Sequence, residues 1–230
     1  MKAKNQFREF TLSKTDAETP LCQHLEIEID NKSVRDRYRI PGQYATIRLP
    51  GEKPDFFAMS NRPGEKKWSF LVKKSSPLTH RLADLKVNDR IEISPAQGKG
   101  FMMKQTVGKN ILLLAVGSAI APIRAVLLQM IENRADYGDI TLYYGAIAPE
   151  EFAYKSEFGK WKKGGVEIIQ TLYPPQPGWK GLSGFVQNHL PKKISPDTAA
   201  FVCGMDKMVA QSRQILLSGG LSAKNILTNI

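Results

Sequence analysis

The chain has 230 residues, of which 42% are hydrophobic and 24% charged. This is the make-up of a globular protein with room for two compact domains, and it excludes disorder as the main theme. The longest apolar runs, residues 111–116 and their continuation 119–122, stop far short of the roughly 18 residues that a membrane-spanning helix needs.

The formal net charge is +11 and the isoelectric point is near 9.6. Such a balance attracts anions: nucleic acid, an acidic membrane surface, an acidic protein or a phosphorylated cofactor. The basic residues are dispersed, with small clusters at 35–39, 66–67, 162–163 and 192–193. There is no basic tail and no recognition motif, so nucleic acid is not an expected partner. Cys22 and Cys203 are too few for an iron–sulfur cluster or a four-cysteine zinc site. His24, His80 and His189 fall at no ligand spacing, so no metal is expected. Two lone cysteines and a basic N-terminus with no apolar stretch behind it point to a cytoplasmic protein without a signal peptide.

In chain order, residues 7–12 and 22–29 alternate apolar and polar with period two, as half-buried strands do. Further strands are predicted at 44–49, 55–61, 68–73 and 90–93, separated by turn signals such as Pro41-Gly42 and Pro63-Gly64. Six short antiparallel strands imply a small β-barrel. Leu78, Leu82 and Leu85 sit at helical spacing behind Pro77, which suits a first helical turn. After Gly108 the pattern changes. A continuous apolar strand at 111–116 is followed by a helix at 122–134, a strand at 140–144, a helix at 150–161 and a strand at 166–172. A strand at 199–202, a helix at 207–217 and a strand at 225–230 complete the series. The expected fold is an antiparallel β-barrel over 1–106, followed by a doubly wound α/β parallel-sheet domain over 107–230.

Open parallel sheets bind ligands outside the carboxyl ends of their strands. Three segments fall there. Gly117-Ser118-Ala119-Ile120-Ala121-Pro122 links the first strand to its helix with small residues, which suit either a bound diphosphate or a tightly packed turn. Tyr144-Gly145 ends the second strand and Cys203-Gly204-Met205 the fourth. Cys203 has no His or carboxylate beside it, so a structural thiol and a site residue are both open. In the first half, Ser60 closes the run Phe56-Phe57-Ala58-Met59, where its hydroxyl would serve a cofactor ring nitrogen or a turn. Gly98-Lys99-Gly100-Phe101 is a glycine-rich turn with one cation, fit for a diphosphate or for a plain turn.

Taken in order, these segments resemble the ferredoxin–NADP reductase superfamily of flavin- and pyridine-nucleotide-dependent oxidoreductases, from about Phe7 to Ile230. Pro41-Gly42-Gln43-Tyr44 resembles the family's Pro-Gly-Gln-(Tyr/Phe) strand start. Phe57-Ala58-Met59-Ser60 falls on its Arg-x-Tyr-Ser flavin motif, with only the serine kept, and Lys73, Arg81 or Lys99 would then replace the missing arginine. Leu71-Val72-Lys73 resembles the strand that follows the flavin ribityl chain, and Thr79 falls near its helix start. Gly98-Lys99-Gly100-Phe101 is similar to a Gly-x-Gly-Phe form found in a plant and bacterial reductase-like branch that also lacks the Arg and Tyr. Residues 117–122 resemble Gly-Thr-Gly-Ile-Ala-Pro, and Tyr144-Gly145 resembles Tyr-Gly-x-Arg without the Arg. Trp179-Lys180-Gly181 with Gly184-Phe185-Val186 resembles Trp-x-Gly-x-x-Gly-(Tyr)-Val, and Cys203-Gly204-Met205 with Met208 resembles Cys-Gly-Pro-x-x-Met.

The resemblance implies bound FAD rather than FMN, and NADH or NADPH as donor. Where NADPH-specific members carry Ser-Arg, this chain has Tyr173-Pro174, which tilts the expectation to NADH. Ser60 and Cys203 are the expected residues at the reacting centre. Phe57, Ala58, Met59, Leu71, Val72, Lys73, Thr79 and the 98–101 turn are assigned to the flavin. Gly117, Ser118, Ala119, Ile120, Pro122, Tyr144, Gly145, Gly204, Met205 and Met208 are assigned to the nucleotide. Electrons would leave to a separate acceptor such as a small acidic carrier protein, drawn by the positive charge. A monomer or weak dimer is expected. The alternative is a non-catalytic flavin- or nucleotide-binding relative with a regulatory or assembly role.

Overall fold

A computed structural model describes residues 7–229, and the expectations for residues 1–6 and 230 lie outside it. Strands β1 (Arg8–Thr19), β2 (Cys22–Glu28), β3 (Tyr44–Arg48), β4 (Asp55–Ala58), β5 (Lys67–Lys73) and β6 (Arg90–Ile93) form one antiparallel sheet in the order β4-β3-β6-β1-β2-β5. A bridge from Met59 to Phe70 joins its two edges into a barrel. The period-two pattern sends Leu25, Ile27, Trp68, Phe70 and Val72 inward, where they meet Ile91 and Ile93. Strand β1 runs seven residues past the predicted end at Leu12, because its polar second half pairs with β2 from Leu12↔Ile27 to Thr19↔Cys22 through two register shifts.

Two helices accompany the barrel. Helix α1 (Lys32–Arg35), which the hydrophobic pattern did not signal, is capped by the Asn31 side chain on the Val34 amide. Helix α2 (Pro77–Asp84) starts with Pro77 and a reciprocal capping box between Ser76 and Thr79. Leu78 and Leu82 join the barrel core.

The second sheet is parallel and contains β7 (Asn110–Val116), β8 (Ile140–Ala146), β9 (Val166–Leu172), β10 (Leu182–Ser183), β11 (Thr198–Cys203) and β12 (Ile226–Leu227). Its order is β10-β9-β8-β7-β11-β12. Helices α3 (Ile120–Glu132) and α4 (Phe158–Lys163) pack on one face with Ile111 and Leu113, and α5 (Asp206–Ser218) packs on the other with Leu112 and Leu114. Burial on both faces is why β7 reads as a continuous apolar run. The chain moves outward on opposite sides of β7, so the loops after β7 and β11 diverge and open a crevice at the carboxyl edge.

The helix predicted over 150–161 forms only from Phe158. Before it lie two short 3₁₀ turns, Pro149–Glu151 and Lys155–Glu157, separated by Tyr154 in the left-handed region at φ 58°. A tyrosine there interrupts α-helical hydrogen bonding. The last strand shortens from the predicted 225–230 to two residues, Ile226–Leu227, and the two-residue edge strand β10 was not predicted. Among the described residues no helix is long and apolar enough to cross a membrane.

Candidate functional site

A cleft of about 710 Å³ lies where the barrel meets the carboxyl edge of the parallel sheet. The barrel contributes all of β4 (Asp55, Phe56, Phe57, Ala58), the outward residues Leu71 and Lys73 of β5, and Ser75 and Thr79 at the start of α2. The sheet contributes the ends of β7, β8, β9 and β11 with the loops that follow them.

Period two explains the β5 wall. Leu71 and Lys73 face the cleft, while Val72 between them is fully buried in the barrel core. Only the backbone of Val72 is therefore available to the cleft. Along β4, Phe57 and Ala58 of the expected 57–60 segment line the cleft, with Asp55 and Phe56 before them. Met59 sits in the barrel core with no exposure. Ser60 is also fully buried. Its hydroxyl lies 2.8 Å from Ser69 Oγ, and it is not on the cleft wall. The 98–101 turn does not line the cleft either. A Cβ on Gly100 (φ +62°) would fall 2.7 Å from the Pro41 carbonyl, and Phe101 is buried edge-on to Phe201. Lys99 goes with that turn. Of the three cations named to replace the arginine, Lys73 is the one on the cleft wall.

The sheet side brings more of the expected residues together. Gly117, Ser118, Ala119, Pro122, Gly145, Cys203, Gly204, Met205 and Met208 all line the cleft. Ile120 and Tyr144 do not; both are fully buried. Tyr144 Oη donates to the Gly117 carbonyl at 3.1 Å and accepts from the Ala153 amide at 3.1 Å, so it anchors the glycine turn from below. Two glycines keep the floor open. A Cβ on Gly145 would stand 3.2 Å from Val116 Cγ1 and Thr171 Oγ1, and one on Gly204 would stand 2.8 Å from Met208 Sδ. The Cys203 thiol is pushed up to about 12 by burial, which keeps it protonated and unsuited to nucleophilic attack.

Residues without any motif complete the site. Thr171 Oγ1 and Gln187 Oε1 are buried on the cleft wall and have no hydrogen-bond partner among the described residues. Such atoms cost free energy unless a ligand or water meets them, so they fit a polar ligand lying across the sheet edge. The apolar β4–β5 wall, the Lys73 cation and the capped start of α2 fit a flat ring system with an anionic tail. Among the residues that line the cleft, Lys73 and Lys207 are the cations, and there is no arginine.

Behind the cleft, a polar network joins the two halves. Arg124 Nη1 on α3 donates to the Ser60 carbonyl at 2.6 Å. Arg124 Nε and Nη2 grip the Glu157 carboxylate at 3.0 and 2.7 Å, and the guanidinium lies 4.6 Å from the Tyr154 ring centre. The Tyr154 amide donates to Glu18 Oε1 on β1 at 2.5 Å. Thr19 Oγ1 donates to Glu151 at 2.8 Å, and Arg62 pairs with Glu132. An arginine inside the apolar helical run Ile123-Arg124-Ala125-Val126 was the available sequence signal, since a buried charge demands a partner.

Residues 113–214 match the family model described as the oxidoreductase NAD-binding domain. The chain is 30% identical over 206 residues to "Fruit protein pKIWI502" of Actinidia deliciosa, covering 81% of this chain and 65% of that protein. It is 28% identical over 197 residues to "Sulfhydrogenase 1 subunit gamma" of Pyrococcus furiosus, covering 83% and 67%. The chain thus spans about two thirds of the length of these curated relatives. A solved structure described as a ferredoxin NADP+ reductase from Neisseria gonorrhoeae with bound FAD and NADP superposes with a TM-score of 0.81 at 19% identity, covering 98% of each chain. Residues 113–214 thus carry the oxidoreductase NAD-binding domain, and barrel and parallel sheet together have the two-domain fold of that solved ferredoxin NADP+ reductase.

Proposed function

We propose that the chain is an FAD-dependent NAD(P)H oxidoreductase that delivers electrons from a reduced nicotinamide to a separate acceptor. The observation that carries this reading is the single cleft walled on one side by β4 and β5 of the barrel and on the other by the carboxyl edge of the parallel sheet. In this reading residues 1–106 hold the flavin and residues 107–230 the nucleotide. A bound flavin supplies the hydride acceptor and the outlet for electrons. The chain's own residues bind, orient and exclude water.

On the flavin side, Phe57, Ala58 and Leu71 provide the apolar wall, while Lys73 and Thr79 lie where an anionic tail is best neutralised. On the nucleotide side, the small residues Gly117, Ser118 and Ala119 admit a backbone-close diphosphate, and Gly145 and Gly204 leave the floor open. Cys203, held as a neutral thiol, shapes the centre without reacting. The role of hydrogen-bonding the ring edge, assigned by motif to Ser60, passes to the cleft-facing groups because Ser60 is bonded to Ser69. The absence of arginine from the lining favours NADH. The net charge of +11 favours an acidic protein as acceptor, and two free thiols suit a reducing cytoplasm.

The test is an absorption spectrum of the purified protein with FAD, followed by anaerobic titration with NADH and then NADPH. Flavin bands that bleach stoichiometrically support the reading. One observation favours a second reading, a cofactor-binding subunit without turnover: the β4 wall presents Asp55-Phe56-Phe57-Ala58 and so offers neither cation nor hydroxyl to a flavin. Retained flavin that no nicotinamide reduces would establish it.

A further inference from the structure

We propose that Arg124 is a positioning residue that sets the spacing between the two walls of the cleft. The inference rests on the oxidoreductase reading, in which a hydride crosses from the sheet side to the barrel side. Arg124 lies in the early part of α3, directly after the Gly117–Ala119 turn that forms the sheet-side wall. Its Nη1 reaches out of that domain to the carbonyl of Ser60, two residues beyond Ala58 at the end of the barrel-side wall. One side chain therefore ties the turn that carries one wall to the strand that carries the other.

The arginine has little freedom to move. Its remaining nitrogens are fixed by Glu157, whose carboxylate also accepts from Trp161 Nε1 at 3.2 Å. Its face is held by the Tyr154 ring, and the Tyr154 amide is bonded back to Glu18 of the barrel. Ser60 is equally fixed, by its amide to the Ser69 carbonyl at 2.8 Å and by its hydroxyl to Ser69 Oγ. The network leaves the barrel at Ser60 and returns to it at Glu18. The Arg124 side chain is only 15% exposed, so solvent screens these bonds weakly. A planar fork satisfies three partners at once; a lysine ammonium at this position cannot hold Glu157 along its edge and reach Ser60 with the same geometry.

Hydride transfer depends steeply on distance and angle, and a misplacement of about 1 Å costs on the order of a hundredfold. A purely structural ion pair would show itself in stability and cofactor retention alone. The experiment is Arg124→Lys in the FAD-loaded protein, with single-turnover reduction of the flavin by NADH and separate measurement of the flavin and NADH dissociation constants. The expected result is a limiting rate lower by about 10- to 100-fold with both dissociation constants within about threefold of wild type. In parallel, amide hydrogen exchange of the flavin-free protein should be faster by about tenfold over residues 58–61 in the variant. A variant that matches wild type in limiting rate, or unchanged exchange over 58–61, overturns the proposal. If Arg124→Lys does not fold, Glu157→Gln, which loosens the same guanidinium without removing it, is measured by the same exchange and rate criteria. A wild-type protein that NADH does not reduce would refute the oxidoreductase reading instead, and the exchange comparison would still decide whether Arg124 holds the wall.

Discussion

The Cys203 thiol donates to Asn229 Oδ1 at 3.6 Å, and Asn229 Nδ2 donates in turn to the Gly42 carbonyl at 3.2 Å. A residue beyond the last strand thus connects the edge of the parallel sheet to the turn that opens β3 of the barrel. Together with Arg124, this gives the cleft one tie on the α3 side and another beside the Cys-Gly edge.

The Cys203–Asn229 pair predicts low thiol reactivity. With its pKa pushed up to about 12 by burial, Cys203 carries at pH 8 about a thousandfold less thiolate than an ordinary cysteine. Iodoacetamide should modify it very slowly in the folded protein and readily after denaturation, as read by peptide mass spectrometry. Asn229→Ala, which removes the acceptor and the tie to Gly42, should accelerate modification. Rapid labelling of the native thiol would contradict this account.

Two glycines with similar backbone angles should respond differently to alanine. Gly100 has φ +62° and no room, with the Pro41 carbonyl 2.7 Å and Ile40 Cγ2 2.8 Å from an added Cβ. Gly100→Ala should cost at least about 2 kcal/mol and lower Tm by roughly 4–8 °C. Gly117 has φ +51° but nothing within 4 Å of an added Cβ. Gly117→Ala should cost about 1 kcal/mol of stability and act mainly on the Kd for nucleotide, because its methyl group enters the cleft. Calorimetric melts and nucleotide titrations separate the two effects.

Donor choice should follow the lining. Tyr173 and Phe185, with ring centres 4.1 Å apart, line the sheet end of the cleft and offer no cation to a 2′-phosphate. kcat/KM for NADH should exceed that for NADPH by about tenfold or more, and Tyr173→Arg should narrow the ratio by about tenfold. A wild-type preference for NADPH would show that a cation outside the lining reads the phosphate.

Glu18 gives a pH dependence of defined sign. Desolvation raises its carboxyl above the ordinary value, against the hydrogen bond from the Tyr154 amide, with Glu157 and Asp16 raising it further and Arg124 lowering it. The folded state therefore binds the proton more tightly than the unfolded state. Its contribution is full below the ordinary carboxylate pKa and is lost as pH rises through the raised folded value. Glu18→Gln keeps an oxygen for the Tyr154 amide and removes the charge. It should flatten that part of the stability profile and raise Tm at pH 7, measured by melts from pH 4 to 8.

What could be read from the sequence was what local chemistry dictates. The apolar run of β7, the alternation in β2 and the Pro77 start of α2 each depend on near neighbours, and all three form as expected. The 150–161 helix fails because contacts from far away decide its conformation. Tyr154 is held by Glu18, 136 residues distant, and by the Arg124 face, so the local preference for helix is overridden. The cleft was legible on the sheet side, where glycines mark the strand ends. On the barrel side only Phe57 and Ala58 of the 57–60 segment reach the cleft, because Met59 enters the barrel core and Ser60 bonds Ser69. Ser60 then becomes a backbone anchor for Arg124 and not a cleft hydroxyl.

The placement of β6 bears on how the chain is made. β6 is fourth from one edge of the six and pairs with both β1 and β3. Without it β4-β3 and β1-β2-β5 meet only at the Met59–Phe70 bridge, and the β3 and β1 edges stay open. As the polypeptide emerges from a ribosome, the barrel cannot close until residue 93 is free, and it is then ready before β7 has any partner strand. The barrel-side wall of the cleft is thus completed first, and the sheet-side wall is assembled against it.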